Sequence, residues 1–181
     1  MAHDTRRLAD DIRFTLTHAS LCYEAWWIFE GEHEMRSQIL SVYNRYLDFF
    51  QTVRPALFTT FILKLASLFG NDPREITLKL LPGISNHPSF KNLRKRGERL
   101  YKYRSKVIAH RDKDILSHDF AKETGFTYDA LKAILDDSKK IFDVVATQEG
   151  FDRVYRFSCE EDLLALINDL SERDSLAVDS H

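Results

Sequence analysis

Apolar side chains recur every three or four residues over nearly the whole chain, and few residues interrupt them. That period is the signature of amphipathic α-helices. The chain has 181 residues with only 6 Gly and 4 Pro, against 13 Phe, 7 Tyr and 2 Trp. Few breakers and many bulky apolar groups leave room for little besides long helices. Leu8, Ile12, Leu16, Ala19, Tyr23 and Trp26 predict a first helix over residues 5–29, capped by Asp4 or Thr5 and stopped at Gly31. Met35, Ile39, Val42, Tyr46, Phe49, Phe50 and Val53 predict a second, ended by residues 52–55. Pro55 then suits the first turn of a third, with Thr52 as a cap and Leu57, Phe58, Phe61, Ile62, Leu65, Leu68 and Phe69 facing the core.

Residues 74–81 predict a short helix with Ile76, Leu80 and Leu81 inward. A fourth long helix opens at Pro88 or Ser89 with the stripe Phe90, Leu93, Gly97, Leu100, Arg104 and Val107. A loop is expected over residues 111–126, then a fifth helix capped by Thr127. Val154-Tyr155-Arg156-Phe157 alternates and suits an extended segment. Ser158 with Glu161 has the capping-box form and starts a short last helix. The expectation is an all-α fold, a single helical bundle of about five main helices with short extra helices. It is one domain over residues 1–172 with a polar tail at 173–181.

The most apolar window, residues 56–69, is too short and too polar to span a bilayer, and the charged start does not read as a secretory leader. Two distant cysteines, Cys22 and Cys159, argue against a disulfide framework or a zinc site, and a cytoplasmic setting is the expectation. Net charge is −2, yet residues 91–113 carry ten Lys and Arg against Glu98 and Asp112, a local +8. Such a block is either a solvated helix face or an attractor of polyanions.

An arginine on an apolar stripe is the anomaly in that block. Arg104 and His110 are six residues apart, about 9 Å along a straight helix and about 120° around it. They converge on one ligand if the helix loosens near its end or if two copies pair. Histidine can move a proton near neutral pH, and arginine offers a rigid fork to phosphate oxygens. With the 2′-hydroxyl of RNA as nucleophile, these two residue types suit phosphodiester cleavage without a metal. The spacing alone is weak: Arg104 can equally pair with a carboxylate, and His110 can cap a helix end.

Tyr101 and Tyr103 flank the basic stripe and suit base stacking or half-burial. Trp26-Trp27 suits packing at a helix edge, with one indole left for a dimer surface. Glu32-His33-Glu34, His87 and His118 lack metal spacing, and no glycine-rich phosphate loop is present.

The stretch Tyr103-Arg104-Ser105-Lys106-Val107-Ile108-Ala109-His110-Arg111-Asp112, on a basic helix of an α-bundle, resembles the signature of the HEPN superfamily. More narrowly it resembles the abortive-infection branch of AbiU type. The resemblance implies a bundle of four or five helices and a homodimer whose basic cleft is shared. It implies a metal-independent endoribonuclease with no cofactor, serving as a toxin or phage-defence effector, with an antitoxin protein as a possible partner. Carried over by position, Arg104 binds phosphate and His110 is catalytic. Ser105 stands where active members often have Asn, Asp or His, and still donates a hydrogen bond. Asp112 stands where members silenced by nucleotidylation have Tyr, and can orient Arg104 or cap the helix. Lys102, Tyr103, Lys106, Arg111 and Arg99 are the expected RNA-binding residues. The alternative is a non-catalytic domain of the same kind that binds RNA, a nucleotide or a partner protein. A plain helical interaction module is the third reading.

Overall fold

The computed structural model describes residues 2–109, 125–155 and 157–178, with side chains at 5–104, 125–155 and 157–172. Among the described residues, six α-helices run in the order α1 (Ala2–Glu30), α2 (Arg36–Arg45), α3 (Leu47–Ser67), α4 (Phe90–Ala109), α5 (Tyr128–Glu149) and α6 (Glu160–Val178). Two single 3₁₀ turns, Leu78–Leu80 and Ile84–Asn86, lie between α3 and α4. There is no strand among the described residues, and residues 154–155 and 157 are irregular rather than strand.

The helices enclose two cores. The larger is built from α1, α3, α4 and α5, with Ile12, Leu16, Trp26, Phe61, Leu65, Leu93, Leu100, Leu131, Ile134 and Phe142 essentially inaccessible. The smaller gathers Ile28 and Phe29 from the end of α1, Ile39 and Val42 from α2, Phe50 from α3 and Ile167 from α6. α3 lies along α1 and against α4, the central place its broad apolar surface predicts.

Two cores explain why the second and third helices divide where they do. A single helix through Val53 would carry Tyr46 and Phe49 inward with Val42 and Phe50. Instead the backbone turns at Tyr46 (φ −110°, ψ 43°), α2 ends, and α3 begins at once. Tyr46 and Phe49 are exposed, while Phe50 is buried in the smaller core. Pro55 therefore lies inside α3 and not in its first turn. Thr52 is not a cap: its hydroxyl donates to the Asp48 carbonyl at 2.9 Å. Buried Phe50 before the proline and Phe58, Phe61 and Ile62 after it hold the helix together despite the missing N–H.

Other boundaries also move. α1 starts at Ala2, so neither Asp4 nor Thr5 is its N-cap. The short helix expected over residues 74–81 reduces to one 3₁₀ turn that buries Leu78 and Leu81 and leaves Ile76 and Leu80 exposed. The last helix starts at Glu160, too late for a Ser158 capping box. Glu24 of α1 accepts the Cys159 amide at 3.3 Å, and the Ser158 hydroxyl accepts the Glu160 amide at 3.2 Å. α6 then continues to Val178, so the polar tail expected at residues 173–181 is helical as far as Val178. No Gly or Pro interrupts that stretch. The fifth helix follows its prediction: Thr127 accepts from the Ala130 amide at 3.1 Å, and Gly150 closes the helix at φ 70°.

Candidate functional site

α4 carries its two roles on opposite faces. Phe90, Leu93, Gly97 and Leu100 point into the core. Lys91, Lys95, Arg99 and Lys102 recur at intervals of four, four and three on the exposed side, which makes one cationic stripe. None of these four has a carboxylate partner among the described residues. Arg94 is instead paired with Glu98 at 2.8 Å, and Arg96 with Asp137 of α5. Arg99 lies over the ring of Phe126, 5.1 Å from its centroid. Lys91 and Lys95 were not among the expected RNA contacts. Their spacing, four and eight residues before Arg99, is the feature that identifies them.

Arg104 lies on the other side of α4, continuing the line of Phe90, Leu93, Gly97 and Leu100 rather than the cationic stripe. Its Nη1 donates to Glu75 Oε1 at 2.9 Å, and the two side chains are 25% and 22% exposed. The guanidinium carbon lies 5.4 Å from the ring centroid of Tyr101, one turn back on α4. Interaction with the Glu75 carboxylate pushes the pKa of the Tyr101 phenol upward. Glu75 reaches this position from the loop after α3. That loop is fixed by the Leu78 amide on the Leu68 carbonyl and the Glu75 amide on the Asp72 carbonyl, both at 3.0 Å. Gly70 makes the space: a Cβ there would lie 1.7 Å from Glu75 Oε2.

The carboxylate partner that spacing allowed for Arg104 is thus Glu75, 29 residues upstream. No local pattern joins the two. Tyr103 is half-buried and packed on the main core, and Lys102 is exposed. Ser105 and Lys106 continue the α4 backbone, with side chains outside the described residues. His110, Arg111 and Asp112 lie outside the described residues, as does His118.

The remaining candidates resolve as packing or capping. Trp26 is fully buried, and Trp27 stacks on Tyr23 with 11° between ring planes and packs on the main core. His33 Nδ1 accepts the Met35 amide at 3.1 Å, and His87 Nδ1 accepts the Ser89 amide at 3.3 Å, so each shapes the turn before a helix. Both cysteines are free thiols. Burial raises the pKa of each, the wrong direction for a reactive thiolate. Among the described residues, no helix is long and apolar enough to cross a membrane.

A domain that is all-helical among the described residues, with Tyr103-Arg104 on its basic helix, is of the HEPN class. The AbiU2 family model matches residues 4–148, most of the chain, and the chain belongs to that family. No curated protein and no solved structure matches it.

Proposed function

We propose that this protein is a metal-independent endoribonuclease of HEPN type, acting in abortive infection as a toxin or phage-defence effector. The observation that carries the reading is the cationic stripe Lys91, Lys95, Arg99 and Lys102 on α4, the helix that also bears Arg104 on its other side, within the family match. The stripe attracts the RNA backbone, and Lys106 and Arg111 extend it. Arg104 binds the scissile phosphate and stabilises the charge that develops on it. His110 takes the proton from the 2′-hydroxyl, whose oxygen attacks phosphorus. The bond from phosphorus to the 5′-oxygen breaks, that oxygen takes a proton from water, and a 2′,3′-cyclic phosphate remains. Ser105 and Asp112 support the pair. Two copies forming a homodimer bring both Arg104–His110 sets to one cleft, in a cytoplasmic setting, with an antitoxin protein as the natural restraint.

The Arg104–Glu75 ion pair favours a second reading, a domain of this family that binds RNA, a nucleotide or a partner protein without cutting. One experiment separates the two. Pure protein is incubated with structured RNA in EDTA beside Arg104→Ala and His110→Ala. Cleavage by the wild type and by neither folded variant supports the nuclease. Cleavage that survives His110→Ala removes that histidine from catalysis. RNA left intact by a folded, RNA-binding wild type supports the second reading.

A further inference from the structure

We propose that Glu75 is the positioning residue for Arg104: it holds one nitrogen of the guanidinium so that the opposite edge is presented to a phosphate of the RNA. The inference rests on the phosphate-binding role given to Arg104 above.

The contact is monodentate. Glu75 takes Nη1, and no further hydrogen-bond or ion-pair partner of Arg104 is found among the described residues, which leaves the edge formed by Nε and Nη2 without one there. That edge presents two parallel N–H groups, the geometry that fits two phosphate oxygens. Two features fix the plane in which it lies. Glu75 holds one end, and the Tyr101 ring lies beside the guanidinium at 5.4 Å. Glu75 is itself set by a hydrogen-bonded loop and by the absence of a side chain at Gly70. A free arginine loses about 2 kcal/mol of rotamer entropy when it is fixed, so an arginine ordered before RNA arrives binds with a smaller loss. The carboxylate lies against Arg104 and Tyr101, so part of its charge is offset before a phosphate approaches.

The opposite role is that of a competitor, in which RNA must displace Glu75 to reach Arg104. Affinity for a short single-stranded RNA, kcat and KM for cleavage in EDTA, and a thermal melt as a fold check distinguish the two. The variants are Glu75→Ala, Glu75→Gln, Tyr101→Phe, Arg104→Ala and the Glu75→Ala/Arg104→Ala double. Positioning predicts that Glu75→Ala weakens binding and kcat/KM by about tenfold, the scale of one ordered side chain. Glu75→Gln restores most of the loss, because its amide oxygen still accepts from Nη1. Tyr101→Phe gives a smaller loss and tests the same network if Glu75→Ala does not fold. On the Arg104→Ala background, removing Glu75 has no further effect. Tighter RNA binding by Glu75→Ala, or losses that simply add, overturns the proposal. Coupled binding losses in a wild type that cuts no RNA overturn the nuclease reading and leave Glu75 in its place. Cleavage without coupling does the reverse.

Discussion

Gly97 of α4 lies directly against the ring of Phe69: a Cβ added to the glycine would come within 2.2 Å of the ring's Cγ. Phe69 is 4% exposed, so the ring has little room to retreat. Glycine inside a helix costs about 1 kcal/mol relative to alanine, and this close approach is what it provides in return. Gly97→Ala recovers that propensity but overpacks the α3–α4 contact. Overpacking and displaced backbone commonly cost about 1–3 kcal/mol, so a net loss is expected. Urea denaturation should show a lower midpoint with an unchanged slope, and Phe69→Leu in the same chain should recover part of it. An unchanged midpoint would mean that the ring swings aside freely.

What the sequence made legible followed from periodicity. The buried faces of α1, α4 and α5 are the stripes that spacing predicts, because a helix packed on one core has one apolar side. The α2–α3 junction was not legible, because the buried residues on both sides of it, Ile39, Val42 and Phe50, face the same smaller core and their spacing reads as one stripe. Glu75 was hidden for a different reason. Its partner lies 29 residues away, and a lone glutamate in a turn-rich loop has no pattern to stand out from. Arg104 was visible only as an exception on an apolar stripe. Lys91 and Lys95 were visible as charge, and their common face with Arg99 and Lys102 emerges once the helix is drawn.

Pro55 is the ninth residue of α3, exposed, and without the N–H that would reach the Gln51 carbonyl. A proline in a helix interior costs about 3 kcal/mol relative to alanine. Both ends of α3 are anchored by buried aromatics, so the replacement restores a hydrogen bond without disturbing the core. Pro55→Ala should raise stability, by up to about 3 kcal/mol, less whatever proline gains by restricting the unfolded chain. A higher midpoint in urea is the expected result. A lower one would show that the α1–α3 contact depends on the local geometry the proline imposes.

The exposed stripe of α4 sets the salt dependence of RNA binding. If Lys91, Lys95, Arg99 and Lys102 each neutralise one phosphate of a single strand, log K should fall with log salt at a slope of about −3. Replacing Lys95 and Lys102 by Gln should weaken binding across all RNA sequences and reduce that slope by about 1.4, two counterions' worth. The fold should be untouched, since both side chains are exposed. Titrations between about 50 and 200 mM salt measure it. A slope that the double replacement leaves unchanged would place the RNA on another surface.

Tyr23 should give the folded protein a specific weakness at alkaline pH. The residue is 4% exposed, packed between Trp26, Trp27 and Phe61. Burial, with Asp129 and Asp136 nearby, pushes its phenol from 10.0 up to about 12. The neutral form is therefore favoured in the folded state. The stability this contributes is complete below the unfolded pKa near 10 and is lost as pH rises through the folded value near 12. A shift of this size is worth up to about 3 kcal/mol. Urea midpoints measured from pH 8 upward should hold steady for this group until about pH 10 and then fall. Lysines titrate in the same range, so the informative quantity is the difference from Tyr23→Phe, which keeps the ring and cannot ionise. The wild type should lose more stability than the variant above pH 10. Parallel curves would mean that the phenolate reaches solvent without opening the α1–α3–α5 packing.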